Sequence, residues 1–375
     1  MSTAGRSAAR PPLEVAWFGA LCDDDYEFLG VPDPALASTF EHCGDIVRAA
    51  DRLGFDNVLL PSGYTLGIDA VAFAAGIAPQ VRDIDLLLAV RCAELWPPQL
   101  ARQIATIDRM LAPSRRRPDG GRLTVNIISS DLPGAPIESA PRYARTLEVM
   151  HILRTLLDGS PVVHHGEFYD LELEPPRLTT TTGSCPPLYF GGLSEPARAV
   201  AAEAADVYLT WPDTVGATAA LIDDMRARAA TFGRTLRFGF RCHVIVRETE
   251  AEARAAAAEL ISHVDAAEGD RIRSRSLDSG SAGVARQVEL RDAADDDGFV
   301  EDHLWTGVGR ARSGAGAAIV GDPDQVVETI AAYRAIGVDS FILSGYPHLD
   351  ACERVAADVL PGLRALDEAE GSSST

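Results

Sequence analysis

A chain of 375 residues, 46% of them hydrophobic, can bury one large α/β core or two ordinary ones. Its 34 basic and 55 acidic residues leave a formal charge of −21, which argues against nucleic acid or an anionic membrane surface as partner. No apolar run approaches the roughly 18 residues of a membrane span, Met1 to Pro12 lacks the apolar core of a signal peptide, and the six cysteines (Cys22, Cys43, Cys92, Cys185, Cys242, Cys352) form no CxxC pair, so a cytoplasmic protein without a zinc site or disulfide framework is expected.

The first predicted strand, Leu13 to Phe18, leads into an acidic loop at Asp23 to Asp25. Glu41 to Leu53 has helical spacing and stops at Gly54, as a helix C-terminus should. Short apolar strands and helices then alternate. Strands are predicted at Asp56 to Leu60, Ile84 to Val90, Leu123 to Ile128, Pro187 to Phe190, Val207 to Thr210, Arg237 to Val246 and Phe341 to Leu343. Helices are predicted at Pro98 to Leu111, Arg142 to Leu157, Glu195 to Ala204, Val215 to Phe232, Ala251 to Val264 and Leu349 to Leu363.

Continuous rather than alternating hydrophobicity marks strands buried on both faces, as in parallel sheets covered by helices. Eight such units predict a (β/α)8 TIM barrel, an α/β fold, spanning 13–366 as a single domain. A doubly wound open sheet is the alternative, but the glycines at 307–309 and 314–316 have neither a preceding strand nor dinucleotide-binding spacing. Two stretches interrupt the alternation. Pro161 to Leu173 predicts a hairpin inserted before strand five, with His164 and His165 as exposed turn residues, and 266–314 predicts a mobile lid inserted before strand eight. The termini, 1–12 and 367–375, are expected to be flexible and disordered respectively.

Chemistry in such a barrel sits at the carboxyl ends of the strands. Counted by alternation, Arg241, His243 and Ile245 share one face of strand seven, whereas Phe240, Cys242 and Val244 share the other. A polar pair in a run of β-formers suits a face bordering a ligand, although an ion-paired arginine and a hydrogen-bonded core histidine would also explain it. Trp211 follows strand six, Arg312 lies in the glycine-rich end of the lid with Arg310 as its solvated neighbour, and Tyr346 and His348 follow strand eight. Together they would make a pocket for a small oxyanion. Gly191, Gly192 and Ser194 follow strand five and open a helix, an arrangement that suits a phosphate but equally an ordinary cap. Asn126 and Ser129, after strand four, could meet a heterocycle edge.

The blocks PPLYFGGLSE, DVYLTWPD, RFGFRCHVIVRETEAEA, LWTGVGRARSGAGAAIVGD and DSFILSGYPHL, within a similarity running from Val15 to Leu363, resemble the two-component flavin monooxygenases of the bacterial luciferase superfamily, in particular the alkanesulfonate monooxygenases. The resemblance implies FMNH2 supplied by a separate NAD(P)H-dependent FMN reductase, O2 as co-substrate, and conversion of an alkanesulfonate to an aldehyde and sulfite by a homo-oligomer, a dimer or tetramer. It implies an active-site cluster of Trp211, Arg241, His243, Arg312, Tyr346 and His348, with Tyr143 joining Asn126, Ser129, Gly191, Gly192 and Ser194 at the flavin. Arg241 and Arg312 would orient the sulfonate and His243 would move a proton. The chain departs from the family pattern at Cys22, where a Thr-His pair is usual, and at Leu66, near a usual cysteine. Both departures face the substrate side. The same FMNH2 chemistry on another small substrate, or a non-catalytic or deazaflavin-dependent barrel, are the alternative readings.

Overall fold

The computed structural model describes residues 10–64, 67–129, 134–135, 137–264 and 281–373. Eight parallel strands close on themselves in the order β1 (Glu14–Phe18), β2 (Asn57–Leu60), β3 (Asp85–Arg91), β4 (Leu123–Ile128), β7 (Leu188–Phe190), β8 (Val207–Thr210), β9 (Arg237–Val246) and β13 (Ser340–Ser344). These are the eight predicted strands, each within two residues of its expected bounds. The pattern was readable because strands covered by helices are buried on both faces and read as short, mostly apolar runs.

Alternation sorts their side chains into two layers. Val15 and Trp17 of β1, with Phe238, Phe240, Cys242 and Val244 of β9, pack outward against the helices. Ala16, Phe18, Leu59, Leu87, Ala89, Tyr189, Val207 and Ile342 fill the barrel interior. At its lower end the Glu14 carboxylate accepts from Ser340 Oγ (2.7 Å) and Tyr189 Oη (3.0 Å), so the interior is a packed core with its opening at the other end.

The helical layer comprises α1 (Phe40–Leu53), α2 (Ala70–Ile77), α3 (Pro97–Met110), α4 (Ser139–Leu157), α5 (Glu195–Ala204), α6 (Val215–Thr231), α7 (Glu250–Leu260), α8 (Ala282–Asp292), α9 (Pro323–Ile336), α10 (His348–Asp358) and α11 (Leu360–Ser373). None among the described residues is long and apolar enough to cross a membrane. The predicted hairpin is β5 (Val162–His165) with β6 (Asp170–Leu173). Its two histidines sit on the strand rather than in the turn, where His164 meets Glu148 at 3.0 Å and His165 meets Asp170 at 2.7 Å.

β9 is twice the length of β13, and its pairing forks. Arg237 to Phe240 pair with β8, whereas His243 to Val246 pair on that side with β12 (Ala318–Gly321), which carries the antiparallel strands β11 (Leu304–Trp305) and β10 (Phe299–Glu301). The sequence reading missed this arm, α2 and α9, the last although Asp322 and Gln325 form a capping box and Pro323 occupies the first turn. The expected lid, 266–314, comprises α8, β10, β11 and a 3-10 turn at Gly307–Arg310 from Ser281 onward; residues 265–280 lie outside the described ones.

The expected disordered tail is corrected over most of its length, because α11 continues to Ser373. It is tied down by Arg334, 2% exposed, whose guanidinium donates to Glu370 (3.0 Å), Asp339 (2.7 Å) and Pro11 O (2.7 Å), while Asp367 accepts from Leu13 N (2.7 Å). A buried guanidinium left without these acceptors would be costly, and these bonds hold Pro11 to Leu13 and α11 together beside β13; residues 1–9 of the expected flexible N-terminus lie outside the described ones.

Candidate active site

A cavity of about 440 Å³ opens at the carboxyl ends of the strands. Phe18, the last residue of β1, forms part of its wall, and two cations lie over its ring: the guanidinium of Arg241 at 4.2 Å and that of Arg312 at 5.3 Å. Aromatic faces stabilise such cations without neutralising them, so the pocket keeps its positive character despite the chain's negative charge.

The two arginines are held differently. Arg241, 3% exposed, donates from Nη1 to its neighbour's carbonyl, Cys242 O, at 2.9 Å, and its buried Nη2 has no hydrogen-bond partner among the described residues. Burial, reinforced by the charge of Arg312, pushes its pKa down to about 9. Arg312 is ion-paired with Asp24 at 2.6 Å and donates to Tyr346 Oη at 2.7 Å. Burial disfavours its charge, but Tyr346 and Asp24 outweigh that and raise its pKa, and Asp24 in turn stays ionised below the usual carboxylate range because Arg312, His348 and Arg241 outweigh its burial. Of the two cations over Phe18, Arg312 is therefore matched by a carboxylate and Arg241 makes no ion pair among the described residues.

Behind this wall lies a layer of stacked rings. His243 Nδ1 meets Ser344 Oγ at 2.7 Å, its ring stacks on Tyr346 at 5.2 Å, and burial followed by Arg241 and Arg312 holds its pKa well below the usual imidazole range. His348 stacks on Phe18 at 5.6 Å, and neither ring nitrogen has a hydrogen-bond partner among the described residues. Its pKa too is lowered, chiefly by burial, so both imidazoles are neutral at pH 7. His243, Tyr346 and His348 thus back the cavity rather than line it.

The predicted phosphate turn lies on another part of the same wall. Gly191 passes so close to β8 that a Cβ there would collide with Leu209 O, and at Gly192 (φ 148°) it would meet Ala197 Cβ at 2.7 Å. Tyr208 Oη donates to Gly192 O at 2.7 Å, and Ser194 caps α5 by accepting from Ala197 N. Asn126, Ser129 and Tyr143 line the adjoining wall. Arg142, read from the sequence only as the start of a helix, also lines it and places its guanidinium 5.5 Å from the Tyr143 ring centre. Its position beside Tyr143 at the start of α4 was the available signal.

Trp211 is covered by the inserted segment. A Cβ on Gly283 of α8 would meet its ring at 2.9 Å, and one on Gly314 at 3.6 Å. α8 is fastened over it by Arg286, which pairs with Asp213 through two bonds (2.7 and 2.9 Å), and by Gln287, which donates to Pro212 O and accepts from Gly316 N. Arg286→Ala is expected to weaken this latch by about 0.5–1 kcal/mol, since the pair is partly exposed to solvent. Amide exchange across 282–292 should accelerate several-fold, with the strands unaffected.

Of the two substrate-side departures, Cys22 lines the cavity as a thiol whose pKa is raised chiefly by burial, whereas Leu66 lies outside the described residues. The residues that sequence reasoning overlooked are Phe18, Asp24, Arg142 and Ser344.

A family model described as luciferase-like monooxygenase matches residues 29–340. The chain belongs to the luciferase-like monooxygenase family. Among curated members, the sulfoquinovose monooxygenase of Novosphingobium aromaticivorans is 62% identical over 353 residues, covering 94% of this chain and 97% of its own. That of Agrobacterium fabrum is 49% identical, covering 96% and 91%. The fold matches solved structures at low identity. Riboflavin lyase RcaE, solved with modified FMN and riboflavin, has a TM-score of 0.76 at 16% identity, covering 94% of this chain and 92% of its own. EDTA monooxygenase from Chelativorans sp. BNC1 has a TM-score of 0.70 at 18% identity, covering 94% of each.

Proposed function

We propose that this chain is the oxygenating component of a two-component system that releases sulfite from a sulfonated sugar of the sulfoquinovose type, using O2 and FMNH2 from a separate NAD(P)H-dependent reductase. Arg241 carries the reading: a buried, unmatched cation on the wall of a cavity is a site for an anion. The names of the two curated relatives support a sulfonated sugar over the simple alkanesulfonate expected from the sequence.

The glycine turn fits a flavin phosphate, because Gly191 and Gly192 leave no room for side chains and α5 directs its N-terminus at the same wall. Arg142 and Tyr143 would complete that site. Bound FMNH2, with O2, supplies two electrons and the oxygen atom inserted at the sulfonate-bearing carbon. The balance is one sulfonate, O2 and reduced flavin giving aldehyde, bisulfite, water and oxidised flavin.

The protein's part is to bind, orient and exclude water. Arg241 anchors the sulfonate. Arg312, held between Asp24 and Tyr346, fixes the wall beside it and adds a second positive field. His243, kept neutral with its Nδ1 on Ser344, supports Tyr346 from behind, and α8 closes over Trp211 to shield the site.

Because Arg241 loses its proton as pH rises through about 9, sulfonate affinity should be full below that value and fall above it. KM is expected to climb up to about tenfold per pH unit above 9 while the thermal melt shows no matching loss. A KM flat to pH 10.5 would remove Arg241 from anion binding. The function itself is tested with FMN, a flavin reductase, NADH and air, following sulfite from sulfoquinovose and from hexane-1-sulfonate. Sulfite from sulfoquinovose is expected; sulfite from hexane-1-sulfonate alone would restore the simple alkanesulfonate reading, and none from either would end both.

A further inference from the structure

One polar group on the cavity wall is explained by neither the flavin nor the sulfonate. Asp24 belongs to the run Asp23-Asp24-Asp25 after β1, and the two flanking carboxylates are spent on holding the loop. Asp23 accepts from Ser38 N (2.8 Å) and Gly67 N (2.9 Å). Asp25 accepts from His348 N (2.9 Å) and Tyr26 N (3.0 Å) and meets His42 Nε2 at 2.8 Å. Between these anchors Asp24 borders the cavity, with Oδ2 on Arg312 and the buried Oδ1 without a hydrogen-bond partner among the described residues.

A carboxylate is a strange neighbour for an anion site, and a carboxylate oxygen with no donor is an unpaid desolvation. An alkyl sulfonate would relieve neither, because its methylenes offer that oxygen no donor. A substrate carrying hydroxyls would supply the missing donor. We propose that Asp24 Oδ1 accepts a hydrogen bond from a hydroxyl on the carbon skeleton of the sulfonate, and so selects polyhydroxylated sulfonates over plain alkyl ones. The ionised state enforced by Arg312 makes Asp24 an acceptor only, with no proton of its own to offer a substrate ether or carbonyl oxygen. Discrimination of this kind is strong, because the analogue lacking the hydroxyl leaves a buried polar group unpaired. The inference rests on the proposed sulfonate-releasing function.

The test is calorimetric titration of sulfoquinovose and hexane-1-sulfonate into the protein under argon with photoreduced FMN, where binding proceeds without turnover. Wild type should prefer sulfoquinovose by roughly 10- to 100-fold, and Asp24→Ala should bring that ratio close to one. Asp24→Asn, which keeps an acceptor oxygen and the side chain's shape, should retain part of the preference and serves if the alanine variant does not fold. A wild type without preference overturns the proposal. So does a ratio that stays fixed while both ligands weaken together in the variants, since Asp24 would then only hold Arg312. A wild type that shows the preference but releases no sulfite in the coupled assay would instead sink the functional reading and leave the hydroxyl contact standing.

Discussion

Arg241→Met is expected to raise the KM for a sulfonate by two to three orders of magnitude while leaving the protein at least as heat-stable as wild type. The first half follows from the loss of a charge-assisted, desolvated contact, which costs about 2–5 kcal/mol when one partner is truncated. The second follows from the same burial. A guanidinium whose pKa is pushed to about 9 is charged at pH 7 against its environment, so its charge opposes folding below that pH and is relieved only as pH rises through it. Methionine keeps the volume and removes the unmatched charge. Steady-state sulfite release and a thermal melt measure both halves. A melt several degrees lower with KM unchanged would make Arg241 a structural residue, the alternative left open by its strand alone.

Gly191→Ala is expected to abolish useful flavin binding, with Kd for FMNH2 rising about 100-fold or more. The added Cβ would meet Leu209 O, a backbone atom that cannot swing away, so β7 and β8 must separate or the turn must shift. Moving the turn withdraws backbone N–H groups from a bound phosphate, each such charged contact being worth about 1.5–3 kcal/mol. Gly216→Ala is the control, because that glycine lies exposed in α6 with open space around its Cβ position. Anaerobic fluorescence titration reads the affinity, and a melt reports how much of the effect is global. Normal flavin affinity in Gly191→Ala would refute the phosphate assignment.

The barrel was legible because its signal recurs along the chain, each strand a short apolar run and all but one followed by a predicted helix. The face carrying Arg241 was legible for a related reason: a period of two assigns alternate residues to opposite layers, and Phe240 and Cys242 went to the helices as that period requires. Depth was not legible. His243, Tyr346 and His348 stand at the expected strand ends, yet they back the wall instead of lining it, because period says which side a residue faces and nothing of how far in it sits. The role of Asp24 was hidden for another reason. Its loop has no period, and three consecutive aspartates look alike until Ser38, Gly67 and His348 claim the outer two. The β12 arm escaped notice because its pairing with β9 exists only where β9 outruns β8.

The order of strands around the rim also divides labour. The glycine cradle and its neighbours hang from β4, β7 and β8, whereas Arg241, Asp24 and the ring stack hang from β9, β13 and β1, three other consecutive strands of the circle, with β2 and β3 between the two groups on the far side. A change in the loop after β1 can therefore retune what is oxidised without disturbing the cradle that would hold the oxidant. The barrel is in this sense a chassis with an exchangeable faceplate. Divergence in such a lineage should collect along the arc from β9 to β1 and be sparse along the other.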